Sequence, residues 1–295
     1  ANEYEKHGHN KINDKYAADV VVINSCTVTA ESDRKTRQAL RRFRRKTPDA
    51  VIILAGCMPQ AFPNEAEELL EADIITGNTS PKNIPLLLQN FLENRDRIVK
   101  IEKHTKSEKY NTPTISNFGE RTRAFMKIED GCDRYCTYCI IPKARGEVRS
   151  KPLKDIESEA QALSRAGFTE IVLVGINLTS YGKDIGLNIC DAVNAAAKPD
   201  GIKRVRLGSL EPDHITDETL EALKSEKKLC PQFHLALQSG SDATLNRMNR
   251  HYDTAFFEDL VKRIRAHFEN AAITTDIMVG FAGESEKEFQ ENVAF

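Results

Sequence analysis

The sequence predicts an α/β fold in two parts, an N-terminal βαβ parallel-sheet domain followed by a partial (β/α) barrel of the TIM type. Short apolar runs suited to buried parallel strands alternate with helical patterns along most of the chain. A polar, proline-broken stretch without periodicity interrupts the alternation at residues 104–122. We therefore expect one domain at residues 1–103, a linker at 104–122 and a second domain at 123–295.

Three apolar runs predict the strands of the N-terminal domain. They lie at residues 19–24, 51–55 and 73–76. Helical patterns at residues 32–47 and 63–71 separate them, which gives the βαβαβ order of a parallel sheet with helices on its faces. Ligands of such sheets collect at the carboxyl ends of the strands, where Cys26 and Cys57 fall. A lone cysteine is usually a small buried apolar side chain, but two at equivalent strand ends also fit shared ligation of a metal centre.

Five further apolar runs predict the strands of the barrel. They lie at residues 125–128, 171–175, 205–209, 233–237 and 273–280. Helical patterns stand between them, and five βα units in this length indicate a barrel that is cut short at its C-terminus. Active sites on such barrels lie at the carboxyl ends of the strands.

Cys132, Cys136 and Cys139 stand close together on a loop directly after the first of these barrel strands. Cysteine thiolates hold iron–sulfur clusters, normally four thiolates for a 4Fe–4S cubane. Three cysteines therefore leave one iron open for a substrate, as reactive metal centres do. The alternative is a zinc site closed by a histidine, but no histidine lies between His104 and His214.

The composition is that of an ordinary soluble globular protein, with 40% hydrophobic and 29% charged residues among 295. No long apolar run or signal-peptide pattern indicates a membrane or export. Seven cysteines without a paired pattern fit a reducing compartment better than a disulfide framework, so we expect a cytoplasmic protein. The net charge of −2 does not itself indicate nucleic acid.

One stretch is strongly basic. Residues 34–46 hold eight basic residues in thirteen and no acidic residue. A solvated helix face is one interpretation, but such faces usually mix both signs of charge. The other interpretation is a phosphate-contacting patch for RNA, centred on Arg41, Arg42, Arg44 and Arg45.

The cysteine loop has a family resemblance. Its sequence, KIEDGCDRYCTYCIIPKARG, resembles the signature loop of radical S-adenosylmethionine enzymes. The resemblance implies a 4Fe–4S cluster on Cys132, Cys136 and Cys139, whose open iron binds the amino and carboxylate groups of S-adenosylmethionine. Tyr138 matches the aromatic residue that packs near the adenine in that family.

Two N-terminal segments resemble a narrower family. They are VVINSCTVT and ILAGCMPQ, which look like the second and third cysteine segments of methylthiotransferases. The resemblance implies an auxiliary 4Fe–4S cluster on Cys26, Cys57 and a third cysteine that lies upstream of the residues matching Ala1 onward. The family also carries a C-terminal RNA-binding β-domain beyond the residues present here, so we expect both ends of this chain to be truncated.

Polar and glycine residues follow the predicted barrel strands, and the resemblance implies that they hold S-adenosylmethionine. With Tyr138, these residues are Asn177, Ser209, Glu211, Gln238, Ser239, Gly280 and Glu284. The stretch from Gly280 to Glu284 resembles the adenine-side motif of the family. The GGE-like motif expected after the second strand is not matched by the sequence VGINL.

Four segments are most similar to the branch that modifies threonylcarbamoyladenosine beside the tRNA anticodon. They are GINLTSYGKDIG, RLGSLEPDHITDE, FHLALQSGSDATLNRMNRHY and AITTDIMVGFAGE. Branches that act on isopentenyladenosine or on a ribosomal-protein aspartate share the fold and the mechanism, so the substrate rests on resemblance alone. The implied partners are tRNA and an electron donor such as flavodoxin or ferredoxin, and the sulfur donor stays open.

The resemblance implies a reaction in two stages. The cluster on the cysteine loop delivers an electron that cleaves S-adenosylmethionine to methionine and a 5′-deoxyadenosyl radical, which removes hydrogen from carbon 2 of the adenine. The auxiliary cluster then presents a methylated sulfur, with the methyl group supplied by a second S-adenosylmethionine. The alternative to an enzyme is a non-catalytic, metal-stabilised RNA-binding module. Such a module would not need five strand ends that are suited to binding a ligand.

Overall fold

The computed structural model describes residues 8–12, 14, 16–79, 83–106, 108–111 and 122–295, and the chain divides into two compact units. The first unit comprises Ala1–Lys106 and Cys139–Gly146, and the second comprises Ser107–Tyr138 and Glu147–Phe295. The segment after the cysteine loop thus belongs to the first unit, although it lies beyond the predicted linker in the sequence. Much of that linker, at residues 107 and 112–121, lies outside the described residues.

The first unit is built on a four-stranded parallel sheet in the order β1-β2-β3-β4. The strands are β1 (Val20–Ser25), β2 (Val51–Gly56), β3 (Ile74–Thr76) and β4 (Ile98–Lys100). The helices are α1 (Ala30–Lys46), α2 (Cys57–Ala61), α3 (Pro63–Glu67), α4 (Ile84–Asn94) and α5 (Ile141–Arg145). Thr29 begins α1, because its side chain accepts a hydrogen bond from the backbone N–H of Ser32 at 3.1 Å.

The central strand β2 is buried on both faces. Ile52 and Leu54 pack with Leu40 of α1 on one face, while Val51 and Ile53 pack with residues of α4 on the other. Alternating side chains of a strand point to opposite faces, so an unbroken apolar strand needs cover on both sides. This burial explains why the sequence of β2 is apolar throughout.

The second unit contains two three-stranded parallel sheets, in the orders β5-β8-β9 and β10-β11-β12. The strands are β5 (Ala124–Lys127), β6 (Glu129–Asp130), β7 (Arg149–Ser150), β8 (Glu170–Val174), β9 (Arg204–Leu207), β10 (Ser209–Leu210), β11 (Gln232–Gln238) and β12 (Ala272–Ile277). The short strands β6 and β7 form an antiparallel pair. The backbone N–H of Gly208, between β9 and β10, donates to the carbonyl of Leu173 at 2.9 Å.

The helices of the second unit stand between these strands in sequence. They are α6 (Leu153–Arg165), α7 (Ile189–Ala197), α8 (Asp217–Ser225), α9 (Asp242–Arg247), α10 (Thr254–His267) and α11 (Glu286–Ala294). One hydrophobic core joins β8, α6 and α10 through residues such as Leu173, Leu163 and Leu260. The strand–helix alternation and the parallel strands make this unit a partial (β/α) barrel, which confirms the predicted fold class.

The strands β4, β6 and β7 were not predicted. The other strands match the predicted apolar runs closely, with two differences. The run at residues 205–209 is two strands, because the chain breaks at Gly208, and the run at 273–280 stops as a strand at Ile277. In the described part of the chain, no helix is both long and apolar enough to cross a membrane.

Candidate functional site

A buried carboxyl group fixes the loop that follows β8. Glu129 is fully buried, and its Oε2 accepts hydrogen bonds from the backbone N–H groups of Ile176 at 2.7 Å and Asn177 at 2.8 Å. A Cβ atom on Gly175 would lie 2.6 Å from the same oxygen, so the close approach requires glycine. Burial raises the pKa of Glu129 to about 8, although the two N–H groups act in the opposite direction.

Cys132 and Cys136 are half-buried in the second unit. The Arg250 guanidinium donates through Nη1 to the Cys136 Sγ at 3.3 Å, and the side-chain amide of Asn177 lies 3.9 Å from the Cys132 Sγ. Burial raises the pKa of the Cys132 thiol to about 11, and the neighbouring carboxylate of Asp133 adds to the rise. Cys139 is also half-buried and belongs to the segment assigned to the first unit.

The end of α9 holds the middle of the cysteine loop. The backbone N–H of Thr137 donates to the carbonyl of Met248 at 3.1 Å, and its hydroxyl donates to the carbonyl of Arg247 at 2.9 Å. The side chain of Asn249 donates to the carbonyl of Tyr135 at 3.1 Å, and Tyr135 itself has a positive φ of 50°. The loop therefore has a defined path imposed by a distant part of the sequence.

A group of buried charges lies beside this loop in the second unit. Arg250 Nη2 stands 2.5 Å from Glu211 Oε1, and Arg134 Nη2 stands 2.6 Å from Asp213 Oδ2. Arg134 also reaches Glu211 Oε1 at 3.8 Å and His214 Nε2 at 3.2 Å. Burial raises the pKa of Glu211, whereas the two guanidinium groups favour its ionised form. The positive charges of two arginines thus balance the negative charges of two carboxylates inside the protein.

The predicted cofactor contacts lie in the cysteine loop and at or near the ends of the barrel strands. Tyr138 meets Phe281 edge to face, with ring centroids 6.1 Å apart. The Glu284 carboxylate accepts the backbone N–H groups of Gly280 and Phe281, the latter at 3.1 Å. Both N–H groups are thereby already satisfied within the loop.

The remaining predicted contacts differ in exposure. Asn177 and Ser239 are buried, Ser209 is exposed at the start of β10, and Gln238 ends β11 with a positive φ of 70°. Glu211 belongs to the buried charged group beside Arg250. Each of these residues lies at or just after the carboxyl end of a strand, which is where ligands bind in such folds. Their contacts with S-adenosylmethionine stay a prediction.

In the first unit, Cys26 and Cys57 follow neighbouring strands at matched positions. Ser25 and Gly56, the last residues of β1 and β2, are register partners, so each cysteine comes directly after its strand. Cys26 is exposed and Cys57 is buried. A Cβ atom on Gly56 would lie 2.5 Å from the carbonyl oxygen of Ser25, and its φ of 105° also favours glycine.

Asn78, which sequence reasoning missed, lies beside Cys57. Its side-chain amide donates to the carbonyl of Ala144 at 2.7 Å and lies 3.6 Å from the Cys57 Sγ. His104 Nε2 stands 3.0 Å from the Asn78 Oδ1. Asn78 stands two residues after the third strand of the sheet, as Cys57 follows the second, and that placement is the signal that could have found it.

The basic helix α1 uses its arginines in two ways. Arg44 forms an ion pair with Asp73 at 2.6 Å and donates to the carbonyl of Glu71 at 3.0 Å, so it ties the helix to the start of β3. Arg41, with most of its side chain exposed, reaches Glu71 at 3.5 Å. Arg42 and Arg45 are exposed. A role of these four residues in RNA binding stays a prediction.

Across the residues that the structure describes, no group of three or more histidine, cysteine or acidic side chains is placed to hold a metal ion. The donor chemistry nevertheless fits an iron–sulfur cluster. The loop supplies half-buried thiols, and a guanidinium donates to one of them. Thiols are the ligands that iron–sulfur clusters take, and hydrogen bonds to the sulfur atoms are part of how proteins tune them.

Comparison with protein families identifies both parts of the chain. Residues 126–295 match the family described as the radical SAM superfamily, and residues 1–77 match a family described as uncharacterized protein family UPF0004. Among solved structures, the radical S-adenosylmethionine methyltransferase TsrM of Kitasatospora setae is similar, with a TM-score of 0.65 over 93% of this chain and 60% of that one. Its 16% sequence identity shows a shared fold only.

Closer relatives are methylthiotransferases. The threonylcarbamoyladenosine tRNA methylthiotransferase MtaB of Aquifex aeolicus is 38% identical over all of this chain and 72% of its own length. The protein of the same name from Bacillus subtilis is 37% identical over 99% of this chain and 65% of its own. A tRNA-2-methylthio-N(6)-dimethylallyladenosine synthase of Clostridium botulinum is 36% identical over 98% and 66%.

These matches decide between the alternatives for the cysteine loop and for the class of protein. They favour an iron–sulfur cluster over zinc, and a transferase over a non-catalytic RNA-binding module. The chain therefore belongs to the radical SAM superfamily, whose cofactors are a 4Fe–4S cluster and S-adenosylmethionine, and within it to the methylthiotransferases.

Proposed function

We propose that the protein is a cytoplasmic tRNA methylthiotransferase that adds a methylthio group to carbon 2 of N6-threonylcarbamoyladenosine, next to the anticodon. The observation that carries this proposal is the 38% identity to the Aquifex aeolicus MtaB along the whole chain. The four segments named from the sequence, which resemble the threonylcarbamoyladenosine branch, support the same substrate.

The second candidate substrate is isopentenyladenosine in tRNA. A Clostridium botulinum synthase named for the dimethylallyl nucleoside is 36% identical over nearly the whole chain, which is close to the value for MtaB. Substrate choice therefore needs a direct measurement of the nucleosides.

The experiment is nucleoside mass spectrometry of tRNA from cells that lack the gene. We expect methylthio-threonylcarbamoyladenosine to disappear, unmodified threonylcarbamoyladenosine to accumulate, and the isopentenyladenosine derivatives to stay unchanged. The gene should restore the product, and the same gene carrying Cys132→Ala should not. Loss of the methylthio-isopentenyl nucleoside instead would assign the second substrate, and normal levels of both would remove the tRNA assignment.

Cys132, Cys136 and Cys139 would hold the radical-generating cluster. When bound, the cluster and S-adenosylmethionine supply a radical that removes hydrogen from an unactivated aromatic carbon, which acid–base groups cannot do. Thr137, between two of these cysteines, is tied to the end of α9 through its hydroxyl at 2.9 Å, so the loop is oriented before a ligand arrives.

The strand-end loops would position S-adenosylmethionine. Glu129 fixes the loop at Asn177, and Glu284 fixes the loop at Gly280, in each case through backbone N–H groups. The Tyr138 ring, placed against Phe281, offers an aromatic surface for the adenine. Rigid support of this kind lowers the entropy lost when the cofactor binds.

Cys26 and Cys57 would share an auxiliary 4Fe–4S cluster that serves sulfur transfer. Their matched strand ends support joint ligation, and Asn78 orients the Cys57 side chain from the next strand. Two thiolates are fewer than such a cluster normally takes, so further ligands would be needed beside them. Cys57 is buried, so the protein shields its side chain from water.

The exposed arginines of α1 would contact the tRNA backbone. Arg42 and Arg45 are exposed, and Arg41 keeps most of its side chain exposed beside Glu71, whereas Arg44 is already engaged by Asp73. Arginine is suited to phosphate because its planar group donates two parallel hydrogen bonds. A small electron-transfer protein such as flavodoxin or ferredoxin would reduce the cluster.

A further inference from the structure

Arg250 is a buried arginine that the proposed reaction has not yet used. Its side chain is 4% exposed and lies 2.5 Å from the Glu211 carboxylate. It also donates to the carbonyl of Ala236 at 2.9 Å and to the Tyr252 hydroxyl at 2.7 Å. Its Nη1 approaches the Cys136 Sγ to 3.3 Å.

The contact with sulfur is informative because a neutral thiol is a weak acceptor. A guanidinium that leaves water normally directs its N–H groups to strong acceptors, such as carboxylates and carbonyls. An N–H group directed at the Cys136 sulfur gains strength only when that sulfur carries negative charge, as a metal-bound thiolate does. The geometry therefore suits a ligand thiolate better than a free thiol.

Arg250 is held so that it cannot turn away from the sulfur. Glu211 balances its charge, and the Tyr252 ring lies under the guanidinium with 5.0 Å between the carbon and the ring centroid. Tyr252 is itself buried and donates to the carbonyl of Leu237 at 3.0 Å. The hydrogen-bond donor is thus fixed in place before any cluster binds.

We propose that Arg250 is a positioning residue that raises the reduction potential of the cluster through its hydrogen bond to the Cys136 sulfur. This rests on the proposed cluster at Cys132, Cys136 and Cys139. Net charge and hydrogen bonds to sulfur set the potentials of iron–sulfur clusters. One-electron reduction adds negative charge to the cluster and its thiolates, so a fixed cationic donor stabilises the reduced form more than the oxidised form. Burial prevents salt from screening this effect.

The test is a redox titration of the reconstituted full-length protein, without S-adenosylmethionine, followed by the electron paramagnetic resonance signal of the reduced cluster. A Cys26→Ala, Cys57→Ala background removes the signal of the auxiliary cluster. Arg250→Met should keep the iron content of the loop and shift the midpoint potential to more negative values. We expect at least a tenfold change in the reduction equilibrium, which is about 59 mV for a one-electron couple.

Three further variants separate tuning from folding. Arg250→Lys should shift the potential in the same direction but less, because its charge remains while its N–H geometry is lost. Glu211→Gln should move the potential in the opposite direction, because it removes the negative charge that Arg250 balances. Arg204→Met is the matched control, because Arg204 is also an arginine paired with a glutamate. Arg204 begins β9, pairs with Glu170 and has most of its side chain exposed.

The outcomes are distinct. A shift of opposite sign in Arg250→Met and Glu211→Gln supports the proposal. An unchanged potential with full iron content in Arg250→Met overturns it. The proposal is also overturned if Arg250→Met loses iron while Arg250→Lys and Glu211→Gln keep the parent potential. Arg250 would then only stabilise the loop. A parent protein that binds no cluster at these cysteines contradicts the proposed function itself.

Discussion

Glu129 shows how one buried carboxyl group shapes the barrel mouth. It lies on β6, three residues before Cys132, and its Oε2 accepts the N–H groups of Ile176 and Asn177 in the loop after β8. Its other oxygen has no hydrogen-bond partner among the described residues. Burial raises its pKa to about 8, so the carboxyl is largely protonated at neutral pH, and an amide in its place would have a similar shape.

Glu129 should make the stability of the protein depend on pH. Its folded pKa of about 8 lies above the ordinary value of 4.5, so its contribution is fully present below pH 4.5 and is lost as the pH rises toward 8. The lost free energy of unfolding is on the order of 4 kcal/mol. Glu129→Gln cannot ionise, so its stability relative to the parent should increase between pH 5 and pH 8.

Urea unfolding of the metal-free protein at both pH values measures this difference. Glu93→Gln, a change at an exposed carboxylate on α4, is the control and should leave the pH dependence as it is. Equal pH dependence in Glu129→Gln and the parent protein would show that the carboxyl is ionised in the folded state.

At the level of single residues, the sequence pointed to candidate ligands but not to the groups that contact them. The spacing of Cys132, Cys136 and Cys139 is local and can be read directly. The donor at Cys136 is Arg250, 114 positions away, and only the fold brings the two together. Glu129 is similarly separated from Asn177 by 48 positions. No local pattern carries such pairings.

The basic helix α1 is the element whose role the structure refines most. Its inner face buries Leu40, and Arg44 reaches Asp73 and backbone carbonyls near the starts of β2 and β3. Asp73 also accepts the backbone N–H of Ile52 at 2.7 Å. Arg44 is therefore part of the structural support, whereas its exposed neighbours have their charge available for a polyanion.

Two variants of α1 should consequently behave in opposite ways. Arg44→Gln should lower the free energy of unfolding by about 1–3 kcal/mol, because it leaves Asp73 and several carbonyls without their partner. The triple change of Arg41, Arg42 and Arg45 to Gln should leave stability nearly unchanged. It should weaken tRNA binding and flatten its salt dependence by about one ion per lost phosphate contact.

Binding titrations at several salt concentrations, beside thermal unfolding, measure both effects. Changing Lys262 and Arg265 of α10 to Gln provides a control that removes charge from another helix. An unaltered salt slope in the triple variant would mean that α1 is a solvated surface rather than an RNA contact.

Elements with a strong local pattern were predicted well, and short ones were not. Strand β2 was found because it is an unbroken apolar run, and strand β11 because its burial alternates from residue to residue. The two-residue strands β6 and β7 are too short to show a period. Helix α4 (IPLLLQNFLEN) was missed because its apolar residues cluster, and a clustered run does not separate a buried helix from a strand.

At the scale of the whole molecule, the chain consists of two units, and each unit contains candidate cysteine ligands. The parallel sheet of the first unit places Cys26 and Cys57 at neighbouring strand ends. The second unit carries the residues predicted to hold S-adenosylmethionine, at or near the ends of its strands. The assignment of Cys139–Gly146 to the first unit depends on contacts distant in sequence, so no linker pattern could predict it.

The two cysteine groups should fail in different ways when changed in the full-length protein. Alanine at Cys132, Cys136 or Cys139 should abolish 5′-deoxyadenosine formation, because no electron reaches S-adenosylmethionine, and methylthio product should vanish with it. Cys26→Ala and Cys57→Ala should bind about four fewer irons per chain. They should still cleave S-adenosylmethionine with a reductant, yet form no methylthio product, because their cluster serves only sulfur transfer.

The most direct measurement is therefore the amount of 5′-deoxyadenosine and of methylthiolated nucleoside in the same anaerobic reaction, for each cysteine variant. Cys190→Ala is the control and should retain both products. Cys190 lies on α7, and its buried thiol donates to the carbonyl of Thr219 on α8. The account predicts loss of both products in the loop variants and loss of only the nucleoside in Cys26→Ala and Cys57→Ala. Full nucleoside product from Cys26→Ala and Cys57→Ala would contradict it.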